Sequence, residues 1–285
     1  MRAFEEFRNM DQSFWAFVKF TSEKLGYSVR GANYVKGVKG YSPEEINWLC
    51  RQEEINASAE LIHATSVYSC MRADMLNDFV ESHLMDAETA HDEYMKWEQL
   101  HRIYHYQCKL PLNKQKGEMK QVAFFTAIIN ILAEKTIKEE LGIRDLGFDD
   151  DPRSLMYMWD ENRNIIGATS RRFDGAFPSI ENPLMVWEIK EYYYATTFGS
   201  RVADGVYETQ LDGFEFNEIA NRTGRKVYHV LFIDAYRTWW IQGKSYLCRI
   251  VDAINSGIVD EVIVGSEVLS RWPELLREVI RENYR

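Results

Sequence analysis

The sequence predicts an α/β protein in which a helical N-terminal part precedes a sheet sandwiched between helices. Three observations predict it. Residues 1–107 carry long helical patterns dense in Ala, Leu, Met and Glu. Beyond residue 120, short apolar runs alternate with helical stretches. Between the two textures lies a basic connector containing Pro and Gly, residues 108–120, which sets the expected boundary between a helical domain at 1–110 and a second domain at 111–285. With 285 residues, 46% of them hydrophobic and 14% aromatic, the chain can bury a sizeable core.

In chain order, the apolar stretch 14–20 runs into Leu25-Gly26, a helix end. Residues 27–41, with Gly31, Gly37 and Gly40, read as a loop. Ser42-Pro43-Glu44-Glu45-Ile46 opens a new helix. Ser42 can accept a backbone N–H, Pro43 lacks an N–H that would have had no partner, and Glu45 can return the bond. Helical patterns continue to about Gln107, and 120–142 is a strongly apolar helix. A loop with three consecutive aspartates covers 147–152. Apolar runs at 164–169, 172–177 and 184–190 read as strands, and 200–220 as a helix. The continuous apolar run within 226–235 is of buried-strand type. A helix at 244–256 ends at Asn255-Ser256-Gly257, a short strand covers 261–265, and a last helix starts near Ser266 and is interrupted by Pro273. The second half therefore reads α-β-β-β-α-β-α-β-α, without an internal repeat.

The net charge of −10 opposes a nucleic-acid partner when taken alone, because phosphate binding draws on cations. Carboxylates also collect around metal ions, however, and local basic patches outweigh the sum. No apolar stretch approaches the about 18 residues of a membrane span. The opening Met1-Arg2-Ala3-Phe4-Glu5-Glu6-Phe7 lacks the basic start and apolar run of a secretory signal, so a cytoplasmic protein is expected. Cys50, Cys70, Cys108 and Cys248 form no C-x-x-C pair, which leaves buried thiols or one reactive thiol and argues against a zinc site.

The informative segment is 172–190, which reads as a β-hairpin with Asp174 ending its first strand and 178–183 connecting to the second. Strand alternation puts Glu188 and Lys190 on one face and Ile189 on the other. A charged pair ending an apolar strand is costly unless partnered. A divalent cation bridging Asp174 and Glu188 would relieve that cost, and hard oxygen ligands completed by water and phosphate suit Mg²⁺. Lys190 could then orient or deprotonate an attacking water while the metal polarises a phosphodiester.

Asp174 followed by Glu188-Ile189-Lys190 resembles the motif of the PD-(D/E)xK nuclease superfamily. Phe173 stands where that motif has proline, and a second Glu-x-Lys at Glu118-Met119-Lys120 falls in the connector. The order α-β-β-β-α-β over residues 118–265 is also similar to the superfamily's core. The resemblance implies a restriction-endonuclease-like core with a central mixed sheet flanked by helices. It implies a Mg²⁺-dependent endonuclease (Mn²⁺ as a substitute) cutting double-stranded DNA in a restriction or phage-defence system. Asp174, Glu188 and Ile189 would hold the metal, a homodimer would cut both strands, and a cognate methyltransferase is a possible companion. The superfamily often adds an acid from the preceding helix. Glu134 shares a face with Ala127, Ile131, Ile137 and Leu141, and its alternative partner is Lys138. From the following helix, which also carries Ser200, Arg201 and Tyr207, Gln210 is the candidate to position the metal's water or the phosphate.

For DNA contacts the loop 27–41 offers Arg30, Tyr34, Lys36 and Lys39 and no acid. Arg171, Arg172, Arg201, Lys109, Lys114, Lys116 and Lys120 are further backbone-contact candidates. His101 and His105 share a helix face without an evident third ligand and read as surface histidines. Two other functions stay open: a nuclease of the same fold acting on structured or single-stranded nucleic acid or RNA, and a non-catalytic nucleic-acid-binding or assembly protein on a degenerate nuclease fold.

Overall fold

The computed structural model describes residues 1–30, 35–113, 121–142, 147–194 and 200–284. Helix α1 (Gln12–Leu25) starts where the Asp11 carboxylate accepts the Phe14 N–H at 2.8 Å. The segment read as a loop holds an antiparallel pair, β1 (Ser28–Arg30) and β2 (Val35–Val38). Its three valines favour extended backbone, a signal that its glycines obscured. Helix α2 (Pro43–Gln52) opens with the expected capping box: Glu45 N donates to Ser42 Oγ at 3.2 Å and Ser42 N to Glu45 Oε2 at 3.0 Å. Helix α3 (Ala59–Asp74) passes through a π-helical stretch, Met75–Val80, into a closing turn α4 (Glu81–His83), and α5 (Ala87–Ile103) follows.

The second half follows the predicted order closely. After α6 (Phe124–Leu141) come β3 (Tyr157–Trp159), β4 (Ile165–Ala168), β5 (Gly175–Phe177), β6 (Met185–Glu191), α7 (Ser200–Thr223), β7 (Tyr228–Asp234), α8 (Lys244–Asn255), β8 (Glu261–Val264) and α9 (Val268–Asn283). The main sheet has the order β5-β6-β7-β8; β5 pairs antiparallel with β6, and β6, β7 and β8 run parallel, so the sheet is mixed. The predicted run at 164–169 lies elsewhere, because β4 pairs with β3 in a separate two-stranded ribbon. Helix α9 also departs from expectation, since it runs through Pro273 without interruption. The lost N–H removes one helical bond, while the adjacent Trp272 is fully buried and anchors the helix by donating Nε1–H to Ile129 O at 3.0 Å.

Both sheet faces are covered, which explains the near-continuous apolar strands. On one face, Phe177, Trp187, Val230, Phe232 and Ile263 pack against α6 and α9 in a core that also takes Ala90 and Tyr94 of α5. On the other face, Leu231, Ile233, Val262 and Val264 pack with Val202 and Val206 of α7 and Leu247 and Val251 of α8. Among the described residues no helix is long and apolar enough to cross a membrane.

Candidate active site

Register brings the first two motif residues together. Gly175 pairs with Trp187, so the next pair along the ladder sets Asp174 across from Glu188. Glycine is required at 175, because a Cβ there would stand 2.1 Å from the Trp187 ring. Asp174 is then fixed by two bonds to β6: its N–H donates to Trp187 O at 3.0 Å, and its Oδ2 accepts the Ile189 N–H at 2.7 Å.

Alternation turns Glu188 and Lys190 towards α7, where both are buried. Glu208 and Asp212, one turn apart on α7, meet them there. Lys190 Nζ lies 3.0 Å from Glu188 Oε2 and donates to Glu208 Oε2 at 3.0 Å. Arg171 enters from the segment between β4 and β5. Its Nη1 donates to Glu188 Oε1 at 2.9 Å and to Asp212 Oδ2 at 2.8 Å, and its Nη2 donates to Glu208 Oε2 at 2.9 Å. Gly205 lies close over this site, where a Cβ would stand 3.0 Å from the Tyr192 hydroxyl and in ordinary contact with the Lys190 stem.

Three carboxylates thus meet two cations, with Asp174 near enough to act on Lys190, and their protonation follows from that balance. Burial alone would lower the Lys190 pKa, but Glu188, Tyr192, Asp174 and Glu208 hold it above its ordinary value, so it stays an ammonium. Burial, with Glu188 adding, pushes the Asp212 carboxyl up to about 7 against the opposing pull of Arg171 and Lys190. Asp212 Oδ1 is buried and has no hydrogen-bond partner among the described residues. Asp174 and Ile189 also line a cleft of about 240 Å³ with Asp150, Asp151, Glu191 and Arg201.

The other candidates separate. Arg171 is half-buried, and in this structure its guanidinium is bonded to three carboxylates of the cluster. Glu134 takes its alternative: it pairs with Lys138 at 2.6 Å and accepts the Gln107 and Cys108 N–H groups, holding that turn. Gln210 lines a different cleft with Tyr27, Tyr207, Arg249 and Asp252, because two residues along a helix is a turn of about 200° away from Glu208. Lys39 pairs with Glu45 at 2.8 Å and Lys109 with Asp150 at 2.9 Å. Arg172 and Arg201 are exposed. Tyr34, Lys114, Lys116, Glu118, Met119 and Lys120, and the side chains of Arg30 and Lys36, lie outside the described residues. His101 Nε2 sits 3.1 Å from Cys108 O. Cys50, Cys108 and Cys248 are buried free thiols and Cys70 is exposed.

Glu208 and Asp212 were missed by sequence reasoning. Their i, i+4 spacing was legible, but an acid pair on a helix ordinarily reads as a solvated face.

Among the described residues no three His, Cys, Asp or Glu groups converge closely enough to hold a metal as they stand. The donor chemistry is of the kind a hard cation takes: Glu188, Glu208 and Asp212 present carboxylate oxygens to one another, and Asp212 Oδ1 has no donor among the described residues.

No curated protein and no solved structure matches the chain. A family described as Domain of unknown function (DUF7690) matches residues 1–79. A second, described as Domain of unknown function (DUF7687), matches residues 85–279, a span that holds Arg171, Asp174, Glu188, Lys190, Glu208 and Asp212. By that match over more than half its length, the chain belongs to the DUF7687 family.

Proposed function

We propose that the protein is a Mg²⁺-dependent endonuclease of the PD-(D/E)xK kind, hydrolysing DNA phosphodiesters. The observation that carries this reading is the meeting of Asp174, Glu188 and Lys190 at the end of the β5–β6 pair, with the last two buried beneath α7. Buried charges of this density cost stability, and a site that binds a metal and a phosphate gives them a use. Asp174, Glu188 and the Ile189 carbonyl would hold the ion. When bound, the ion supplies Lewis-acid polarisation of the phosphate and lowers the pKa of a coordinated water. Lys190, kept charged by its neighbours, donates a hydrogen bond and neutralises developing negative charge; as an ammonium it orients the water and does not deprotonate it. Glu208 positions that ammonium. Exposed Arg172 and Arg201, the latter lining the Asp174 cleft, supply phosphate contacts. A cytoplasmic homodimer, partnered in a restriction or phage-defence system by a methyltransferase, completes the proposal.

One observation favours the second reading, a non-catalytic protein on this fold: both Glu188 oxygens are already engaged, one by Arg171 and one by Lys190. Incubating the full chain with double-stranded DNA, single-stranded DNA and RNA, in Mg²⁺ and in EDTA, separates the readings. Metal-dependent cutting of duplex DNA supports the endonuclease. Cutting confined to another nucleic acid keeps the site and changes the substrate. Binding without cutting supports the non-catalytic protein.

A further inference from the structure

We infer that the Arg171 guanidinium stands in the seat of a divalent cation, and that Glu208 and Asp212 complete that cation's carboxylate set once the arginine swings aside. The inference rests on the proposed metal-dependent reading of the site.

A single nitrogen, Nη1, bridges Glu188 on β6 and Asp212 on α7 at 2.9 and 2.8 Å, and both acids are almost wholly buried. The other nitrogen holds Glu208 at 2.9 Å, so one cationic group joins three acids from two elements. An arginine fork makes contacts at fixed angles, and it leaves Asp212 Oδ1 buried and without a partner among the described residues. A metal ion takes oxygens from several directions and can reach the oxygen the fork leaves aside.

Size accounts for the acids standing too far apart to hold a metal as they are. Contacts to a guanidinium nitrogen fall near 2.8–2.9 Å here, whereas Mg²⁺ takes oxygens at about 2.0–2.1 Å. Exchanging one for the other needs Glu188 and Asp212 to close by under about 1 Å, and Glu208, which meets the other nitrogen, to move further.

Arg171 can leave, because its side chain is 24% exposed, against 3% and 0% for Glu188 and Asp212. It lies in the irregular segment between β4 and β5, next to exposed Arg172. Once displaced, it adds a second guanidinium at the mouth of the site, suited to a phosphate oxygen. The arginine is therefore an internal competitor of the ion and afterwards a substrate ligand.

Calorimetric titration of the full chain with Mg²⁺ alone tests this. Arg171→Gln is expected to bind Mg²⁺ about tenfold tighter than wild type, since a competing charge is gone, and Asp212→Asn about tenfold weaker. Mg²⁺ binding by wild type that is unchanged or weakened in a folded Arg171→Gln overturns the inference while the metal-dependent reading stands. No Mg²⁺ binding by wild type or either variant overturns both. Should Arg171→Gln not fold, the wild type decides: its protected Arg171 guanidinium protons, followed by NMR, must lose protection from solvent exchange when Mg²⁺ is added. Protection that persists at saturating Mg²⁺ contradicts the displacement.

Discussion

Lys190 illustrates how one residue's environment fixes its chemistry. Its ammonium is held between Glu188 and Glu208, each at 3.0 Å, in a nearly closed setting. Replacing it leaves a buried carboxylate facing Arg171 alone. Lys190→Ala is expected to lower unfolding free energy by about 3 kcal/mol, measured by urea denaturation. Asp234 at the end of β7 titrates differently. Burial pushes its carboxyl up to about 8, although Tyr193 donates a hydroxyl and Met85 and Ala235 donate backbone N–H groups to it. The folded protein therefore keeps a proton that the unfolded chain releases near its ordinary pKa of 3.8. The resulting stability is full below that value and is lost as pH rises through about 8. Asp234→Asn mimics the protonated acid, so it should match wild type near pH 4 and exceed it by about 5 kcal/mol near pH 8. Denaturant midpoints at the two pH values measure this, and a variant less stable than wild type at both contradicts it.

At the scale of elements, β6 was readable and α7 was not, for one physical reason. Strand alternation placed Glu188 and Lys190 together and Ile189 opposite, as the structure has them. The register to Asp174 followed from the hairpin. On α7 acids share the inward side with apolar residues: Asp212 is buried and Glu208 half-buried on the helix that also buries Val202, Val206 and Phe216, while Tyr207, Leu211 and Phe214 are 52%, 47% and 60% exposed. The apolar pattern of a helix does not mark which of its acids turn inward, and Gln210 was placed at the site by the family resemblance alone. Gln210→Ala should leave stability within about 0.5 kcal/mol of wild type and leave metal-dependent cleavage unchanged, measured on the same DNA. Cleavage lost in that variant would return the residue to the site. The ribbon β1–β2 was hidden by its glycines and β3 by its length of three residues, too short to show alternation.

Over the whole molecule, the segments matched by the two families meet through a buried ion pair. Arg72 of α3, with no exposed surface, donates to both oxygens of Asp252 on α8 at 3.0 and 3.1 Å, and Tyr68 donates to the same acid at 2.6 Å. Helix α5, grouped with the N-terminal part by its texture, packs on α6 and shares its core. A pairing 180 residues apart leaves no trace in a single sequence, because neither periodicity nor capping encodes it. Arg72→Leu leaves Asp252 buried with Tyr68 as its remaining side-chain partner among the described residues and is expected to cost about 3–5 kcal/mol, read as a lower denaturation midpoint.

The central claim is that Asp174, Glu188 and Lys190 perform metal-dependent hydrolysis, and cleavage of unmodified plasmid and phage DNA tests it most directly. Wild type and Lys190→Ala, each shown by circular dichroism to be folded, are compared in Mg²⁺ and in EDTA. Fragments are expected from wild type in Mg²⁺ alone, with none in EDTA and none from the variant. Equal cutting by wild type and Lys190→Ala, or cutting that persists in EDTA, would contradict it.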